Sequence, residues 1–242
     1  MVERSYASRG GPDLNARSQR HLRTIRPNWL VLIFLTGLSS GCVTTTVQEI
    51  RQASTGISTN ESVVVLGRHN NAADESEDDF INCVSNNLSG GKNGVGVVPE
   101  AKFVDAMFPW FEPRTAPLNT SDLPEIVGQP ILADKLDSIG VRYVIWIEGN
   151  THRSAQGGMM TCSVSMAGAG CFGFLSWEND SSYEASIWDI KHGTSVGKVS
   201  SDANGTSFMP AVIVPIPFIA RVQTGACNSM ASQLRVFITK ES

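Results

Sequence analysis

Apolar runs alternate with polar, glycine-rich or acidic stretches along the chain, and the spacing within each run is typical of one secondary structure. Residues 62–67 and 141–148 are continuous runs of β-branched and aromatic residues, typical of strands covered on both faces. Between them, apolar residues recur at helical spacing in residues 80–88 and 131–139. The first half of the chain therefore predicts helices alternating with buried strands.

The second half has a weaker pattern. Residues 154–182 are rich in glycine and serine and predict a hairpin region, followed by antiparallel strands over residues 183–191 and 196–201. A closing helix is predicted after Thr224, with one apolar face made of Ala226, Cys227, Met230, Ala231, Leu234 and Phe237. The order of elements predicts an α/β fold, a single sandwich domain with a mixed β-sheet and packed helices.

A short apolar run at residues 29–38 is followed by small residues and then by Cys42. An apolar core of about ten residues has the length of a secretory signal peptide and is shorter than the roughly 20 residues that span a bilayer. The small residues before Cys42 resemble the lipobox of bacterial lipoproteins. That resemblance implies cleavage between Gly41 and Cys42, and lipidation of Cys42. The alternative is an ordinary signal peptide with a cysteine near its end.

The lipobox resemblance divides the chain into three parts. Residues 1–41 would be a lipoprotein signal peptide with a long basic n-region. Residues 42–60 are rich in Thr, Ser and Gln and predict a flexible tether. Residues 61–242 would form the α/β periplasmic domain. Val43 stands where enteric lipoproteins retained at the inner membrane have aspartate, which implies an outer-membrane protein whose domain faces the periplasm.

The charge balance excludes one class of partner. Residues 1–41 hold six of the 19 basic and two of the 23 acidic residues, so the mature chain carries 13 basic against 21 acidic residues. Nucleic-acid binding requires a clustered basic face, and the mature sequence contains none. The sequence therefore predicts no nucleic-acid partner.

Four cysteines remain after lipidation, an even number that favours two disulfides in an oxidising periplasm. Cys162 and Cys171 flank a short flexible loop and are predicted to pair. Cys83 and Cys227 lie on the apolar stripes of the first and last predicted helices, so a second bridge would join those helices. Buried free thiols are the alternative. The cysteine and histidine spacing lacks zinc motifs, and no metal site is predicted.

A family resemblance rests on residues 131–145, Ile-Leu-Ala-Asp-Lys-Leu-Asp-Ser-Ile-Gly-Val-Arg-Tyr-Val-Ile. This helix-glycine-strand unit resembles one in the curli secretion channel family and in the lipoprotein activators of penicillin-binding proteins. The domain of these lipoproteins is similar to the N-terminal domain of TolB. Residues 185–190, followed by Gly193, and the closing helix that begins at Ala226 also fit. The resemblance implies a TolB N-terminal-like form of the α/β sandwich.

Two apolar stretches have the composition of interaction surfaces. Residues 108–114 hold three aromatic residues, including Trp110 and Phe111, and two prolines. They predict either a loop that covers the core or a patch that binds a partner. Residues 209–220 are apolar and contain three prolines, together with Ile213, Ile216 and Phe218. They predict either a covering strand and loop or an apolar surface for a partner or the membrane.

No catalytic residue and no cofactor is predicted, because His69, His152 and His192 have no local signature of a catalytic triad around them. The favoured function is non-enzymatic: a lipid-anchored module that binds, helps to assemble or regulates another envelope protein. A periplasmic immunity-type lipoprotein that neutralises a secreted toxin is the alternative, and an envelope hydrolase is a third hypothesis. The predicted partners are the membrane, through the lipid anchor, and another envelope protein, and homo-oligomerisation is left open.

Overall fold

A computed structural model describes residues 43–67, 78–112, 115–116, 120–166 and 168–239 of the 242-residue chain. The predicted signal peptide, residues 1–41, and the predicted lipidation site Cys42 lie outside these residues. No described helix combines the length and the apolar composition that crossing a membrane requires.

Six strands and five helices follow one another along the described chain. The strands are β1 (Val43–Arg51), β2 (Ser62–Gly67), β3 (Gly96–Val98), β4 (Val141–Ser165), β5 (Gly168–Asp189) and β6 (Thr194–Pro215). The helices are α1 (Asp78–Ser89), α2 (Glu100–Ala106), α3 (Leu123–Val127), α4 (Pro130–Ser138) and α5 (Val222–Thr239), with a 3-10 turn (Thr120–Asp122) before α3.

The strands form one mixed sheet in the order β1-β6-β5-β4-β2-β3. The pairs β1–β6, β6–β5 and β5–β4 are antiparallel, whereas β4–β2 and β2–β3 are parallel. Strand β4 pairs with β2 as far as Ile147, and it continues well beyond that point beside β5. The parallel and antiparallel parts of the sheet therefore share one strand, β4.

The predicted α/β, TolB N-terminal-like sandwich is wrong, because strands dominate the described residues. Strands β4, β5 and β6 have 25, 22 and 22 residues, whereas the longest helix, α5, has 18. Parallel pairing, which characterises α/β folds, is limited to β2, β3 and the start of β4. Residues 154–182, for which a hairpin region is predicted, lie largely within the antiparallel strands β4 and β5, and both strands extend well beyond the predicted region.

The predicted tether also differs from the structure over part of its length. Residues 43–51 form β1, which pairs with β6 from Val43–Gly205 to Arg51–Gly197. Val43, Thr45 and Val47 alternate with exposed residues and face the helix α5 side of the sheet. The threonines and valines of residues 43–47 favour a strand over a flexible tether because they are β-branched.

Two apolar cores lie on opposite faces of the sheet, because neighbouring residues of a strand point to opposite sides. Val63 and Val65 of β2 face a core formed with α1 and α5. Val64 and Leu66 face the second core, formed with α2, α3 and α4. The helices therefore cover both faces of the sheet around β2 and the first part of β4.

Helices α1 and α5 are held together by a disulfide and by an arginine. Cys83 and Cys227 are bonded, with their Cα atoms 6.2 Å apart, as predicted. The guanidinium of Arg235 donates to the carbonyls of Asn87 and Gly90 at the carboxyl end of α1. A cation at this end of a helix stabilises the unpaired carbonyls and the helix dipole. The first and last helices are thus fixed to each other at one point covalently and at another electrostatically.

The second predicted disulfide, Cys162–Cys171, is also confirmed. The two cysteines face each other directly across β4 and β5, with their Cα atoms 4.0 Å apart. This bond closes a loop with a sequence separation of only 9 residues, whereas Cys83–Cys227 spans 144.

Removing the two bridges separately should destabilise the protein to different extents. The double substitution Cys83→Ala with Cys227→Ala should lower the free energy of unfolding by about 2–5 kcal/mol, because the long loop gains the most freedom in the unfolded chain. Cys162→Ala with Cys171→Ala, the matched control, should cost distinctly less. Urea titration under oxidising conditions measures both, and equal costs would contradict the loop-length argument.

Candidate functional site

Strands β4, β5 and β6 continue beyond the helices as a three-stranded extension. We define the arm as residues 154–177, which belong to β4, β5 and the turn between them, and residues 205–219, which belong to β6 and the segment after it. Residue pairs run without interruption from Ala155–Glu178 to Ser165–Gly168 between β4 and β5. At about 3.3 Å per residue, the β4 part of the arm is on the order of 35 Å long.

The arm contains no charged residue. Residues 154–177 and residues 203–220 lack Asp, Glu, Lys, Arg and His altogether. Exposed antiparallel strands of soluble proteins normally alternate apolar residues with polar or charged ones. The absence of charge on exposed strands therefore distinguishes the arm from the remaining parts of β4, β5 and β6, which carry charged residues.

Close backbone contacts within the arm depend on glycine. Gly158 has φ +95° and Gly173 has φ +144°, both in the region that favours glycine. A Cβ on Gly158 would lie 2.2 Å from the carbonyl oxygen of Phe174, and one on Gly173 would lie 2.2 Å from that of Met159. Glycine at these positions lets β4 and β5 stay paired where a side chain would separate them.

The segment after β6 folds back along the same strand. The backbone N–H of Phe208 donates to the carbonyl of Phe218 (2.9 Å), and the N–H of Phe218 donates to the carbonyl of Phe208 (2.8 Å). The N–H of Ala220 donates to the buried hydroxyl of Ser207 (2.9 Å). The prolines at positions 215 and 217 suit such an edge segment, because proline cannot donate to a ladder. The return segment therefore pairs with the base of the arm.

One face of the arm, which we call the aromatic face, carries Met159, Phe172, Phe174, Phe208 and Val212. Phe172 and Val212 face each other across β5 and β6, and their side chains are 73% and 72% exposed. The rings of Phe174, Phe208 and Phe218 form a row, with centroids 6.3 Å and 4.9 Å apart. This row presents a continuous aromatic surface to the surroundings.

The opposite face, which we call the disulfide face, carries the Cys162–Cys171 bond. Ile213 lies opposite Cys171 on β6, is 69% exposed and has φ +97°. Val164, nearer the tip, is 86% exposed, and Met166 in the β4–β5 turn is fully exposed. Large apolar side chains are therefore exposed on both faces and at the tip. Contiguous exposed apolar patches of this kind are uncommon on monomeric soluble proteins.

Charged residues reappear at the base of the arm. The guanidinium of Arg153 lies over the ring of Trp177, 5.6 Å from its centroid, and Glu178 and Asp180 follow on β5. Val43, the first residue of β1, pairs with Gly205 at the same level. The arm therefore begins where β1 begins, one residue after Cys42.

The structure separates the two predicted interaction stretches. Ile213, Ile216 and Phe218 belong to the arm, and the first two are exposed. Phe111 is instead buried, in edge contact with Phe103 at a centroid distance of 5.0 Å. Trp110 packs against the same core. Phe111 is buried, as in the interpretation of residues 108–114 as a loop that covers the core. Trp110 is half-buried, and its part in an interaction surface stays a prediction.

Sequence reasoning missed the larger part of the arm. Met159, Val164, Phe172, Phe174 and Val212 were not predicted as surface residues, because the surrounding glycines and serines lower the average hydrophobicity of residues 154–177. The complete lack of charge over this range was the pattern in the sequence that could have found them.

A groove of about 900 Å³ lies at the carboxyl end of β2, between α1 and α2. Its lining includes Leu66, Trp146, Asp78, Glu100 and Asp105. Within the described part of the chain, no three side chains of His, Cys, Asp or Glu are grouped so that they could hold a metal ion. The connection between β2 and α1, residues 68–77, lies outside the described residues, and no ligand follows from the lining that is described.

A buried carboxylate pairs with one of the candidate histidines. Asp189 is 2% exposed and accepts from the guanidinium of Arg142 (2.8 Å) and from the backbone N–H of His192 (3.1 Å), and it contacts Nδ1 of His192 at 2.7 Å. These contacts join the start of β4 to the end of β5 and the turn after it. The arrangement is that of a structural ion pair, because it satisfies a buried charge at a strand end. His152 is exposed on β4, and His69 lies outside the described residues.

Comparison with known proteins identifies no family for this chain. No protein-family model and no curated protein matches the sequence. Among solved structures, a PelC dodecamer from Paraburkholderia phytofirmans is similar at 14% identity and a TM-score of 0.36, covering 82% of this chain and 100% of that one. A PelC variant dodecamer from the same organism is similar at 13% identity and a TM-score of 0.36, covering 81% and 99%.

The arm should depend on Gly158 but not on its neighbour Gly157. Gly158→Ala should cost on the order of 1–3 kcal/mol locally, because alanine is strained at φ +95° and its Cβ meets the carbonyl of Phe174. Amide hydrogen exchange in residues 154–177 should become faster while exchange in β2 and α5 is unchanged. Gly157→Ala is the control, since a Cβ there makes only an ordinary 3.6 Å contact with Ser176. Equal exchange in the two variants would contradict this account of the arm.

Proposed function

We propose that this chain is a lipid-anchored protein of the bacterial cell envelope that acts without catalysis, as a binding or assembly module, and that the arm is the part that contacts its target. The observation that supports this proposal is the charge-free arm, which exposes apolar side chains on both faces. A monomeric soluble domain rarely exposes such a surface unless it binds something.

The architecture of the arm suits binding. Its middle strand, β5, is paired on both sides, and a disulfide joins β4 to β5 near the tip, so the exposed side chains are held on a fixed backbone. A surface that is ordered before binding loses less conformational entropy when the complex forms. Exposed aromatic residues such as Phe172 and Phe174 are the residue type that contributes most to contact energy.

The anchor in this proposal is Cys42, and the location is the outer membrane with the domain in the periplasm. Two acyl chains or more hold a protein stably at a membrane, at about 0.8 kcal/mol per buried CH₂ group. An anchored module needs only modest affinity for its target, since anchoring raises the effective concentration of both. The partners in this proposal are the membrane, which the lipid on Cys42 reaches, and another envelope protein.

The arm should be required for capture of the target in intact envelopes. The double substitution Phe172→Ser with Val212→Ser removes two exposed apolar side chains that face each other on the aromatic face. We expect recovery of the cross-linked envelope protein to fall about tenfold or more, because the arm no longer holds the chain in its binding position once the burial energy of both side chains is lost. The protein should remain folded, as neither side chain contributes to either core.

Ile131→Ser provides the matched control for that experiment, since Ile131 is an equally exposed apolar residue on helix α4. Its recovery of the target should equal that of the unchanged chain. A target recovered equally well from both variants would remove the arm from the proposal, and the location of the binding surface would have to be sought on the body.

Lipidation has its own test. Cys42→Ala should abolish incorporation of labelled palmitate and leave a chain that retains residues 1–41, because the cleavage implied by the lipobox requires a lipidated cysteine. Ser40→Ala is the control and should be processed normally. Mass spectrometry of the N-terminal peptide distinguishes the outcomes. Normal cleavage of Cys42→Ala without lipid would show that the segment is an ordinary signal peptide.

A further inference from the structure

We propose that the target of the arm is the lipid bilayer itself, and that the arm enters the membrane with its tip and its aromatic face among the acyl chains. This inference rests on the proposed function, because it takes the arm as the contact element and names what it contacts. The protein would then hold the membrane at two places, through the lipid on Cys42 and through the arm.

The distribution of apolar side chains favours lipid over a protein groove. A protein partner that receives a β-strand or an arm in a groove usually covers one face, whereas lipid surrounds an inserted element on every exposed side. Phe172 and Val212 on the aromatic face and Val164 on the disulfide face are all largely exposed, and so is Met166 at the tip. The apolar surface therefore extends from the aromatic face around the tip, and lipid can cover both at once.

The distribution of charge agrees with insertion. A charged side chain is costly at the centre of a bilayer, and the arm contains none over its entire length. Charges return abruptly at Arg153 and Glu178, where the headgroups would lie. Trp177 stands at the same level under the guanidinium of Arg153, and tryptophan is enriched at the interface between membrane and water.

The direction of the arm agrees with the position of the anchor. Strand β1 is antiparallel to β6, so Val43 lies at the end of the body towards which β6 continues into the arm. Cys42 is bonded to Val43, and consecutive Cα atoms are about 3.8 Å apart. Val43 pairs with Gly205, the first residue of the β6 part of the arm. A lipid on Cys42 would therefore bring the membrane to the base of the arm.

The hydrogen-bonding needs of the backbone set the orientation. Lipid cannot satisfy backbone groups, and an open strand edge is costly within the hydrocarbon. An arm that lies obliquely keeps the outer edge of β4 among headgroups and water, while Phe172 and Phe174 reach the acyl chains. The serines and threonines of β4, such as Thr161 and Ser163, also favour this oblique position over a fully immersed one.

The test uses the full-length lipidated protein in vesicles whose lipids carry bromine on the acyl chain, which quenches tryptophan emission at close range. Met166→Trp places a reporter at the tip, where the parent side chain is fully exposed and its replacement leaves both cores unchanged. Ile131→Trp places the same reporter on helix α4 as the matched control. The emission added by the tip tryptophan should be quenched at least about twofold more than that added by the control.

Three other outcomes would overturn the inference, and they leave different conclusions about the proposed function. An unquenched tip on vesicle-bound protein, combined with cross-linking of the tip to another envelope protein, would keep the arm as a binding element and replace lipid by protein. Cross-linking of the tip to a second copy of this chain would make the arm an interface between copies. An unquenched tip with no cross-link from the arm in intact envelopes would remove both the inference and the proposed function.

Discussion

The pairing of β5 with both of its neighbours is the constraint on which the rest of the structure depends. This strand is bonded to β4 from Tyr143–Asp189 to Ser165–Gly168 and to β6 from Asp189–Thr194 to Cys171–Ile213. Because side chains alternate along a strand, the register that puts Ile187 and Ala185 into the core also decides which face of the arm receives each residue. Packing of the body and composition of the arm are therefore linked through one strand.

A register shift in β4 shows how strongly the strand pairing determines the composition of each face of the arm. The register of β4 against β5 shifts between Arg153 and Ala155, at the base of the arm. The extra residue of such a bulge exchanges the faces of all residues that follow on its strand. Met159 consequently shares the aromatic face with Phe174, to which it is paired. Without the bulge, Met159 would point to the disulfide face.

The strands are covered on both faces at one end of the sheet and have an exposed face at the other. Around β2 the strands are covered on both faces, and their sequence is a continuous apolar run, as in Val63 to Leu66. Further along β5 and β6 one face becomes polar, with an ion pair between Glu184 and Lys198 and a hydrogen bond from Ser182 to Asp202. Beyond that polar band the same face becomes the aromatic face. An exposed apolar surface thus follows a normal soluble surface on the same strands.

The parts of the fold that could be predicted are those whose structure follows from the local pattern of apolar residues. Residues 62–67 form a continuous apolar run, and helices α1 and α5 have clear helical periodicity. Both disulfides followed from cysteines placed on helical stripes or beside a short loop. The fold class could not be predicted, because the glycines at 158 and 173 serve strand pairing, whereas glycine usually indicates a turn. For the arm, Ile213, Ile216 and Phe218 could be found as an apolar run, but its partner strands depend on tertiary pairing that no local pattern contains.

Strand β1 has a consequence for how far the protein can act. Many anchored domains are joined to their lipid by a disordered linker, which lets them move some distance away from the membrane. Here the chain enters the sheet at Val43, and a hydrogen-bonded ladder to β6 begins at that residue. A lipid on Cys42 would leave almost no linker between the anchor and the sheet. The body would therefore stay at a nearly fixed distance from the bilayer. Any partner of a body anchored in this way would have to meet it close to the membrane surface.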